Sequence, residues 1–359
     1  MHMNLQNCLL ALTSSRNFVI AYSGGIDSHV LLHSMSELKK QNPEINIQAI
    51  HVNHQLNPLS INWEKHCEKT CAELNIPIII ERININLKAG DSLEEQARNT
   101  RYEVLQKHLD KNSVLLTAHN ANDQAETFLL QALRGAGPKG LSAMPIKKKL
   151  GDSFLIRPLL HFTREKLEKY AKENNLKWIE DDSNTDIKFN RNYLRHEIFP
   201  ILKKRFPAVM ENFSRSARLM AEQEKIIADI ARDDYQKIVE TRFIKIAQKR
   251  GRKPACDFKI AQKRGRKPAC DFKIAQKRGR KPACDSCDAL DLKQLLLLSE
   301  PRQRLVLREW FRQNNLRMPN EKHLKQIQKD VLNAAPDAHP VFKLEEGVLM
   351  RKRGVLYLN

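Results

Sequence analysis

Short apolar runs alternate with helical patterns over the first 120 residues of the chain. The runs are rich in Ile, Val, Leu and Phe, and they predict buried strands at 18–22, 45–52, 76–80 and 114–118. Apolar residues at helical spacing between them predict helices at 28–40, 60–74 and 92–109. This alternation predicts an α/β fold, a Rossmann-like parallel sheet with helices on both faces. Ligands of such folds bind at the carboxyl ends of the strands.

The pattern changes along the second part of the chain. Helical spacing at 123–133 and 163–174 is followed by mainly helical segments, predicted at 209–240, 290–314 and 320–333. Residues 341–358 alternate apolar and polar positions and predict a small β-meander. We therefore expect two domains, 1–205 and 206–359, which agrees with a length of 359 residues.

A basic insert, residues 245–286, interrupts the second domain. The sequence Lys-Ile-Ala-Gln-Lys-Arg-Gly-Arg-Lys-Pro-Ala-Cys-Asp occurs three times in it without change, at 245–257, 259–271 and 273–285. Each copy holds five Lys or Arg and one Asp, so the copies supply +12 of the formal net charge of +20. Three interpretations stay open. The Arg-Gly-Arg core resembles an AT-hook that binds the minor groove of DNA, and unchanged copies are also typical of recent duplication in a tolerant loop. The insert can also add salt-dependent contacts to an RNA backbone.

The composition favours a cytoplasmic protein without a membrane segment. No apolar run reaches the roughly 18 residues that a transmembrane helix needs. The N-terminus lacks the basic and apolar regions of a secretory signal. Seven cysteines at irregular spacing indicate a reducing compartment and not a disulfide framework.

Residues 23–28, Ser-Gly-Gly-Ile-Asp-Ser, follow the first predicted strand and open a helix. Adjacent glycines at a helix start let backbone N–H groups approach an anion, and the helix dipole favours negative charge there. The hydroxyls of Ser23 and Ser28 can add donors. The stretch has neither the lysine of a P-loop nor the G-x-G-x-x-G dinucleotide fingerprint. It resembles the PP-loop of ATP pyrophosphatases, which split ATP into AMP and pyrophosphate.

Further polar segments follow in an order that narrows this resemblance. They are 51–54, a helix with Glu95, Arg98, Arg101 and Tyr102, then 119–127, 133–144, 157–160 and 181–195. Over roughly residues 15–200 they resemble the tRNA(Ile)-lysidine synthetase family. The first motif is shared by all PP-loop enzymes, so the specific part of the resemblance is 119–144 together with 181–195.

The resemblance implies a reaction in two steps. ATP adenylates the C2 carbonyl oxygen of the wobble cytidine, position 34, in an isoleucine tRNA with a CAU anticodon, and pyrophosphate leaves. The amine of free L-lysine then displaces AMP and leaves lysidine, so that the tRNA reads AUA. ATP is therefore the expected co-substrate and Mg²⁺ the expected metal, and the family allows a homodimer. The first domain is expected to be catalytic and the second to bind tRNA.

The resemblance also assigns residues. It implies an ATP and pyrophosphate site made of Ser23, Gly24, Gly25, Ile26, Asp27, Ser28, His51 and His119. It implies catalytic roles for Asp27, Arg98, Asp123, Glu126, Arg191 and Arg195. Asp27 and Asp123 offer the oxygen ligands that Mg²⁺ prefers, and Arg98 can neutralise charge developing on phosphate. Glu126 is the expected partner of the lysine ammonium group, and Arg191 and Arg195 are expected to meet phosphate or the tRNA backbone.

The chain departs from the common family pattern in one motif. Many members have His-His-x-Asp-Asp-Gln where this chain has His119-Asn120-Ala121-Asn122-Asp123-Gln124, so the first acid is an amide. This weakens a site with two carboxylates from that motif, although an amide oxygen can also bind a metal. Longer members carry a further C-terminal domain, for which we expect no counterpart in the sequence up to residue 359.

Three plainer or competing interpretations stay open. Arg98 and Arg101 can form ordinary helix salt bridges with Glu94 and Glu95, worth a few tenths of a kcal/mol. The histidines at strand ends can be structural polar residues. A PP-loop tRNA thiolase is the alternative enzyme, for which Cys67 and Cys71, or Cys284 and Cys287, would be the reactive pair.

Overall fold

The computed structural model describes residues 5–55, 59–83, 93–180, 186–249 and 289–358. They form two compact units, Met1–Glu222 and Gln223–Asn359. No described helix is long and apolar enough to cross a membrane. Apart from its first residues, the predicted insert 245–286 lies outside the described part of the chain. The assignment of a catalytic domain up to residue 205 and a tRNA-binding domain after it stays a prediction.

The first unit is built on a six-stranded sheet with the order β3-β2-β1-β4-β6-β5. All neighbours are parallel except the edge strand β5, which pairs antiparallel with β6. The strands are β1 (Asn17–Ala21), β2 (Asn46–Asn53), β3 (Ile78–Arg82), β4 (Ser113–Leu116), β5 (Lys147–Leu150) and β6 (Ser153–Ile156). The four predicted strands are β1 to β4, and the predicted α/β fold class is confirmed.

The described residues up to Lys249 contain ten helices, which surround this sheet or come after it in the chain. They are α1 (Leu5–Leu12), α2 (Ile26–Gln41), α3 (Ser60–Glu73), α4 (Leu93–Lys107), α5 (Ala121–Leu133), α6 (Pro138–Leu141), α7 (Arg164–Glu173), α8 (Asn190–Tyr193), α9 (Phe199–Arg205) and α10 (Val209–Lys249). A π-helical turn, Leu194–Ile198, joins α8 to α9. The sequence pattern did not predict α1 or the β5–β6 hairpin.

Alternate residues of β1 face two different hydrophobic clusters. Phe18 and Ile20 belong to the large cluster that includes Met35 of α2, whereas Val19 packs in the second cluster with Leu105 of α4. This is the period of two that a strand buried on both faces requires. The helices therefore cover both faces of the sheet, as the alternation of elements predicted.

The chain order of the strands reverses beside β1. From β1 the chain moves outward to β2 and β3, then returns to β4 on the other side of β1. In open α/β sheets, such a switch point leaves a crevice at the carboxyl ends of the two strands. The loop 23–28 leaves β1 at this crevice, so the topology positions it where a nucleotide binds.

The second unit ends in a four-stranded antiparallel sheet with the order β7-β10-β9-β8. Its elements after α10 are β7 (Leu290–Asp291), α11 (Leu292–Leu296), α12 (Glu300–Gln313), α13 (Glu321–Ile327), a π-helical turn (Gln328–Leu332), β8 (Val341–Leu344), β9 (Gly347–Lys352) and β10 (Val355–Leu358). Trp310 of α12 is fully buried and packs with Leu349 and Leu356 of the sheet. The strands β8, β9 and β10 pair antiparallel in chain order, so the predicted meander at 341–358 is confirmed.

The prediction of one helix over 290–314 was wrong. A short strand comes first, and the side chain of Asp291 then accepts a hydrogen bond from the Gln294 N–H and caps α11. The helix α12 starts afresh after Ser299, with a proline in its first turn. Proline at that position starts a helix readily, because it has no N–H to donate.

Candidate active site

The phosphate loop, residues 23–28, joins β1 to α2. Gly25 is the N-cap residue of α2, and no side chain caps this helix. Gly24 has φ +84°, in the left-handed region that favours glycine. A Cβ at Gly24 would lie 2.8 Å from Ile179 Cδ1 and 3.1 Å from Cys67 Sγ. Conformation and space therefore both require glycine at this position.

Ser28 braces the phosphate loop from within. Its hydroxyl donates to the Gly25 carbonyl over 2.9 Å, and it accepts from the Ser23 N–H over 3.2 Å. The hydroxyls of Ser23 and Ser28 lie 3.1 Å apart. The two serines thus keep the loop curled around the start of α2, where the positive end of the helix dipole favours an anion.

A cavity of about 240 Å³ opens beside this loop at the carboxyl ends of β1, β2 and β4. Its walls include Ser23, Asp27, Ser28, Ile50, Val52, Arg98, Arg101, Tyr102, Thr117, His119 and Asp123. The fold thus brings together six of the predicted site residues from three separate segments. Gly24, Gly25, Ile26, His51, Glu126, Arg191 and Arg195 are not among the residues that line it.

Asp27 is one of the two acids of the cavity wall, and its side chain is partly buried. Its Oδ2 accepts from the Arg164 guanidinium over 2.6 Å, whereas its Oδ1 is buried without a partner among the described residues. Burial raises the pKa of Asp27 to about 6, while Arg164 opposes the rise and the charge of Asp123 adds to it. A buried carboxylate oxygen that has no hydrogen-bond partner and lies near a second carboxylate is suited to bind a cation.

The donor set near Asp27 fits Mg²⁺ only together with oxygens from a substrate. The described residues contain no group of three or more His, Cys, Asp or Glu that could hold a metal by themselves. Mg²⁺ is typically held by one or two carboxylates plus phosphate oxygens and water. The pair Asp27 and Asp123 therefore fits that cation in a nucleotide complex.

Two asparagines organise the start of α5. The Asn120 side chain accepts from the N–H groups of Asn122 and Asp123, over 2.9 and 3.1 Å, and Asp123 Oδ2 accepts from the Asn120 N–H over 2.9 Å. This is a reciprocal capping box, which fixes Asp123 at the cavity. Asn122, which stands where the family has its first acid, accepts from the Arg164 N–H over 3.1 Å. The amide thus binds the protein backbone of α7.

Glu126 is held by an arginine from a distant segment. Arg195 donates from Nε to one Glu126 oxygen over 2.8 Å and from Nη2 to the other over 3.0 Å. The Glu126 side chain is only 1% exposed. Burial raises its pKa and the guanidinium opposes that rise. Glu126, which was predicted to bind the lysine ammonium group, is thus already paired with Arg195, which was predicted to bind phosphate or the tRNA backbone.

Arg195 also lies near Asp123 of the cavity wall. Its Nη2 lies 3.5 Å from Asp123 Oδ1. Arg191, one turn earlier, lies 3.5 Å from the Thr127 hydroxyl. A hydrophobic cluster that includes Ala125, Leu194 and Phe199 packs α5 against the π-helical turn and α9. This packing brings the two arginines to the side of α5 that carries Glu126.

The histidines near the site are uncharged near neutral pH. His51 is buried, and its Nδ1 donates to the Tyr22 carbonyl over 3.0 Å. Burial lowers the pKa of His51, and burial together with the charge of Arg101 lowers the pKa of His54 to about 4. His119 lies 3.0 Å from the Thr117 hydroxyl, and burial lowers its pKa to about 4 as well. These side chains can donate or accept hydrogen bonds but do not supply positive charge.

Basic side chains on α4 face the cavity without an acidic partner among the described side chains. Arg98 lies over the Tyr102 ring, 5.2 Å from its centroid. Arg101 donates from Nε to His54 over 3.2 Å. The expected helix salt bridges with Glu95 do not form among the described side chains, and the side chain of Glu94 lies outside them. Both arginines thus line the cavity, where their charge can meet an anion.

The comparisons with known proteins agree with this geometry. The family model described as a PP-loop domain matches residues 1–202, and the one described as a TilS substrate binding domain matches residues 290–357. The tRNA(Ile)-lysidine synthase of Coxiella burnetii is 45% identical over 98% of this chain and 68% of its own length. That of Yersinia pseudotuberculosis is 36% identical over 99% of this chain and 69% of its own. The chain belongs to the tRNA(Ile)-lysidine synthase family.

Members of this family are ATP-dependent ligases, so the predicted enzyme class is confirmed. A solved structure, the U34-tRNA thiolase NcsA of Methanococcus maripaludis, matches with a TM-score of 0.50 and 21% identity. The match covers 57% of this chain and 72% of the thiolase. At that identity the likeness shows the shared PP-loop fold alone.

The cysteines near the phosphate loop do not have the surroundings of a reactive pair. Cys67 and Cys71 are fully buried on α3. Burial raises the pKa of both thiols, that of Cys71 to about 12. Thiolate is the reactive form of cysteine, so neither side chain is activated. Cys284 and Cys287 lie outside the described residues.

Sequence reasoning did not find three residues that build the site. Arg164 pairs with Asp27 and starts α7, and Asn120 caps the helix that carries Asp123. Arg157 is buried and donates to the Pro145 carbonyl over 2.7 Å. The S/T/D/N rule for helix caps could have indicated Asn120. Arg157 begins segment 157–160 of the family resemblance, but that segment does not indicate its contact. Arg164 carries no local signal, because only the tertiary structure brings it to Asp27.

Proposed function

We propose that this chain ligates lysine to C2 of the wobble cytidine of an isoleucine tRNA with a CAU anticodon. In the first step the C2 oxygen attacks the α-phosphate of ATP, and pyrophosphate leaves. In the second step the lysine amine attacks C2, the bond from C2 to the adenylate oxygen breaks, and AMP leaves. The observation that carries this proposal is the meeting of the phosphate loop, Asp27, Asp123, Arg98 and His119 in one cavity.

The nucleotide would lie with its phosphates on the phosphate loop. Gly24, Gly25 and Ile26 offer backbone N–H groups at the start of a helix that no side chain caps, and Ser23 offers its hydroxyl. Ser28 holds the loop in shape for this contact. Such preorganised donors stabilise the charge that develops on a leaving pyrophosphate. His119 is a neutral hydrogen-bonding group on the cavity wall, and His51 supports the end of β2 from behind.

Mg²⁺ is part of the proposal as a metal held by Asp27 and Asp123. When bound, it would neutralise charge on the phosphate oxygens. The unpartnered Oδ1 of Asp27 and the cavity-facing carboxylate of Asp123 support this assignment. Arg98 adds positive charge to the cavity wall, where its guanidinium lies over the Tyr102 ring.

The amino acid and the tRNA would meet at the Glu126 end of the site. The carboxylates of Glu126 and Asp123 are the acceptors available to a lysine ammonium group, once Arg195 turns from them toward phosphate. Arg191 is half-buried beside Thr127 and can bind the phosphate backbone of the tRNA. The second domain would bind the body of the tRNA. The homodimer and the cytoplasmic location also stay predictions.

The test is an incubation of the protein with labelled lysine, ATP, Mg²⁺ and bulk tRNA. We expect label to enter tRNA only when ATP is present, and AMP and pyrophosphate to appear in equal amounts. Labelling of a transcript with the CAU anticodon and its loss in a variant with another wobble base would identify the substrate. Cleavage of ATP without any label in tRNA would contradict the proposal.

A further inference from the structure

A short segment after α7 lies directly against the phosphate loop. We name residues 176–180 the strap. It begins where α7 ends, with the Leu176 N–H donating to the Ala171 carbonyl over 2.9 Å. Leu176 and Trp178 pack against the main hydrophobic cluster of the first unit. The strap is therefore anchored in the core of the unit that carries the phosphate loop.

The strap also contacts the helices on either side of the loop. Burial lowers the pKa of His29 on α2 and of His66 on α3, and the Lys177 backbone opposes both shifts. His29 is 5% exposed, and the two rings lie 6.1 Å apart. Lys177 thus lies near both helices, two residues before the strap reaches the loop.

The closest contact is a backbone hydrogen bond. The Ile179 N–H donates to the Gly24 carbonyl over 3.0 Å. In a trans peptide the carbonyl and the following N–H point in opposite directions. The bond to the strap therefore directs the Gly25 N–H to the other side of the loop, away from Ile179.

The Ile179 side chain closes the same side of the loop. Its Cδ1 fills the space where a Cβ on Gly24 would lie, at 2.8 Å, and Cys67 Sγ fills it from α3 at 3.1 Å. Gly24 adopts φ +84°, a conformation that needs support from its surroundings. Strap and α3 together give that support, because Ile179 and Cys67 pack against Gly24 and the Ile179 N–H holds its carbonyl.

We infer that Ile179 is a positioning residue for the phosphate site, because its N–H fixes the peptide that presents the Gly25 N–H to a pyrophosphate group. The inference deepens the proposed function and rests on it. A multiply charged leaving group gains most from donors that are already oriented before it forms. Two adjacent glycines cannot hold such an orientation by themselves, so the strap supplies the restraint.

The test compares pyrophosphate binding by variants of the full chain. Isothermal titration calorimetry with inorganic pyrophosphate and Mg²⁺ gives the Kd, and steady-state kinetics gives KM for ATP and for lysine. Ile179→Pro removes the N–H and should weaken pyrophosphate binding about tenfold or more, since a hydrogen bond that orients a donor to a charged group is lost. KM for ATP should rise in parallel, whereas KM for lysine should stay within about twofold.

Matched variants separate orientation of the peptide from loss of structure. Glu180→Pro introduces proline one residue later, leaves the Ile179 N–H in place and should bind pyrophosphate as the unaltered protein does. Ile179→Ala keeps the N–H but removes the cover over Gly24, so about threefold weaker binding is expected. Should Ile179→Pro fail to fold, Ile179→Ala decides, and unchanged binding by it contradicts the inference.

The outcomes also distinguish the inference from the proposed function. Equal pyrophosphate binding by the unaltered protein and by the Ile179 variants overturns the inference alone. A parallel rise in KM for lysine would show a general structural defect and overturn it too. An unaltered protein that binds neither ATP nor pyrophosphate would contradict the proposed function, and the inference would fall with it.

Discussion

The two ends of the candidate active site are built in different ways. At the phosphate loop, six consecutive residues use backbone groups and two short hydroxyl side chains to shape an anion site. At the other end, Glu126 and Arg195 lie 69 residues apart in the chain and form a bidentate ion pair. The first end is open to a ligand, and the second is closed by the protein's own charges.

This difference indicates how each end meets its substrate. Backbone N–H groups at a helix start are fixed by the fold and need no rearrangement when an anion arrives. A buried carboxylate that already has its counter-ion must exchange that partner before it can bind another cation. We therefore expect the phosphate end to be preformed and the Glu126 end to change when substrate binds. Three predictions test that contrast.

The largest effect is expected from Arg195→Met, which leaves Glu126 buried without its partner. Removal of one member of a buried pair costs about 3 kcal/mol of the free energy of unfolding. Urea denaturation at pH 7 measures this loss. The double variant Glu126→Gln with Arg195→Met should recover a large part of it, because no unpaired charge then remains.

The matched control for this prediction is Arg218→Met. Arg218 lies 2.8 Å from Glu222, but both side chains are more than half exposed. Exposed pairs contribute at most about 1 kcal/mol. Equal losses of stability for the Arg195 and Arg218 variants would show that the Glu126 end is not closed by a strong pair, and the contrast between the two ends would fail.

At the preformed end, Gly24→Ala should lower kcat/KM for ATP about a hundredfold. The alanine must adopt a left-handed conformation and displace the side chain of Ile179 or Cys67, a strain of about 1–3 kcal/mol. Gly137→Ala is the control, because a Cβ there meets no atom within 4 Å. Full activity of the Gly24 variant would mean that the loop adapts to its ligand, as we expect only of the other end.

Asp27 gives the smallest predicted effect, and a dependence on pH. Its pKa is raised to about 6, so the folded protein binds this proton more tightly than the unfolded chain between roughly pH 4 and 6. Stability therefore falls as pH rises through that window. Asp27→Asn should raise the free energy of unfolding at pH 7 by about 1 kcal/mol, and the gain should vanish near pH 4.

Urea denaturation at several pH values between 4 and 7 measures this difference. A variant that is less stable than the unaltered protein at pH 7 would show that the ion pair with Arg164 outweighs the burial of Asp27. The phosphate end would then resemble the Glu126 end, with an acid stabilised by its own arginine. The predicted result instead makes Asp27 an acid kept for function at a cost in stability.

Local patterns were sufficient to predict most of the sheet and its helices. The central strands β1 and β4 are nearly continuous apolar runs, which is typical of strands buried on both faces, and β2 and β3 are also rich in isoleucine. The helix α1 and the hairpin β5–β6 were missed, and 290–314 was predicted as one helix. In that segment Asp291 and Ser299 are the N-caps of two successive helices. The first of these helices is too short to show the helical periodicity of apolar residues by itself.

The site was predicted in part, for a related reason. Ser23, Asp27, Ser28, Arg98, His119 and Asp123 line one cavity, as the motif order indicated. The pairing of Glu126 with Arg195 was not expected, because it depends on the π-helical turn Leu194–Ile198 and on the hydrophobic cluster beneath it. Arg164 and Ile179 carry no motif at all.

The amino-acid sequence by itself determined the α/β class, the phosphate loop and the family of this protein. These follow from contiguous signals: apolar runs, adjacent glycines before a helix, and an ordered set of polar motifs. Only the tertiary structure decided which charges meet, that Arg164 faces Asp27, that Arg195 closes on Glu126, and that Ile179 holds Gly24. The physical reason is that such contacts depend on the packing of segments far apart in the chain, which no local period records.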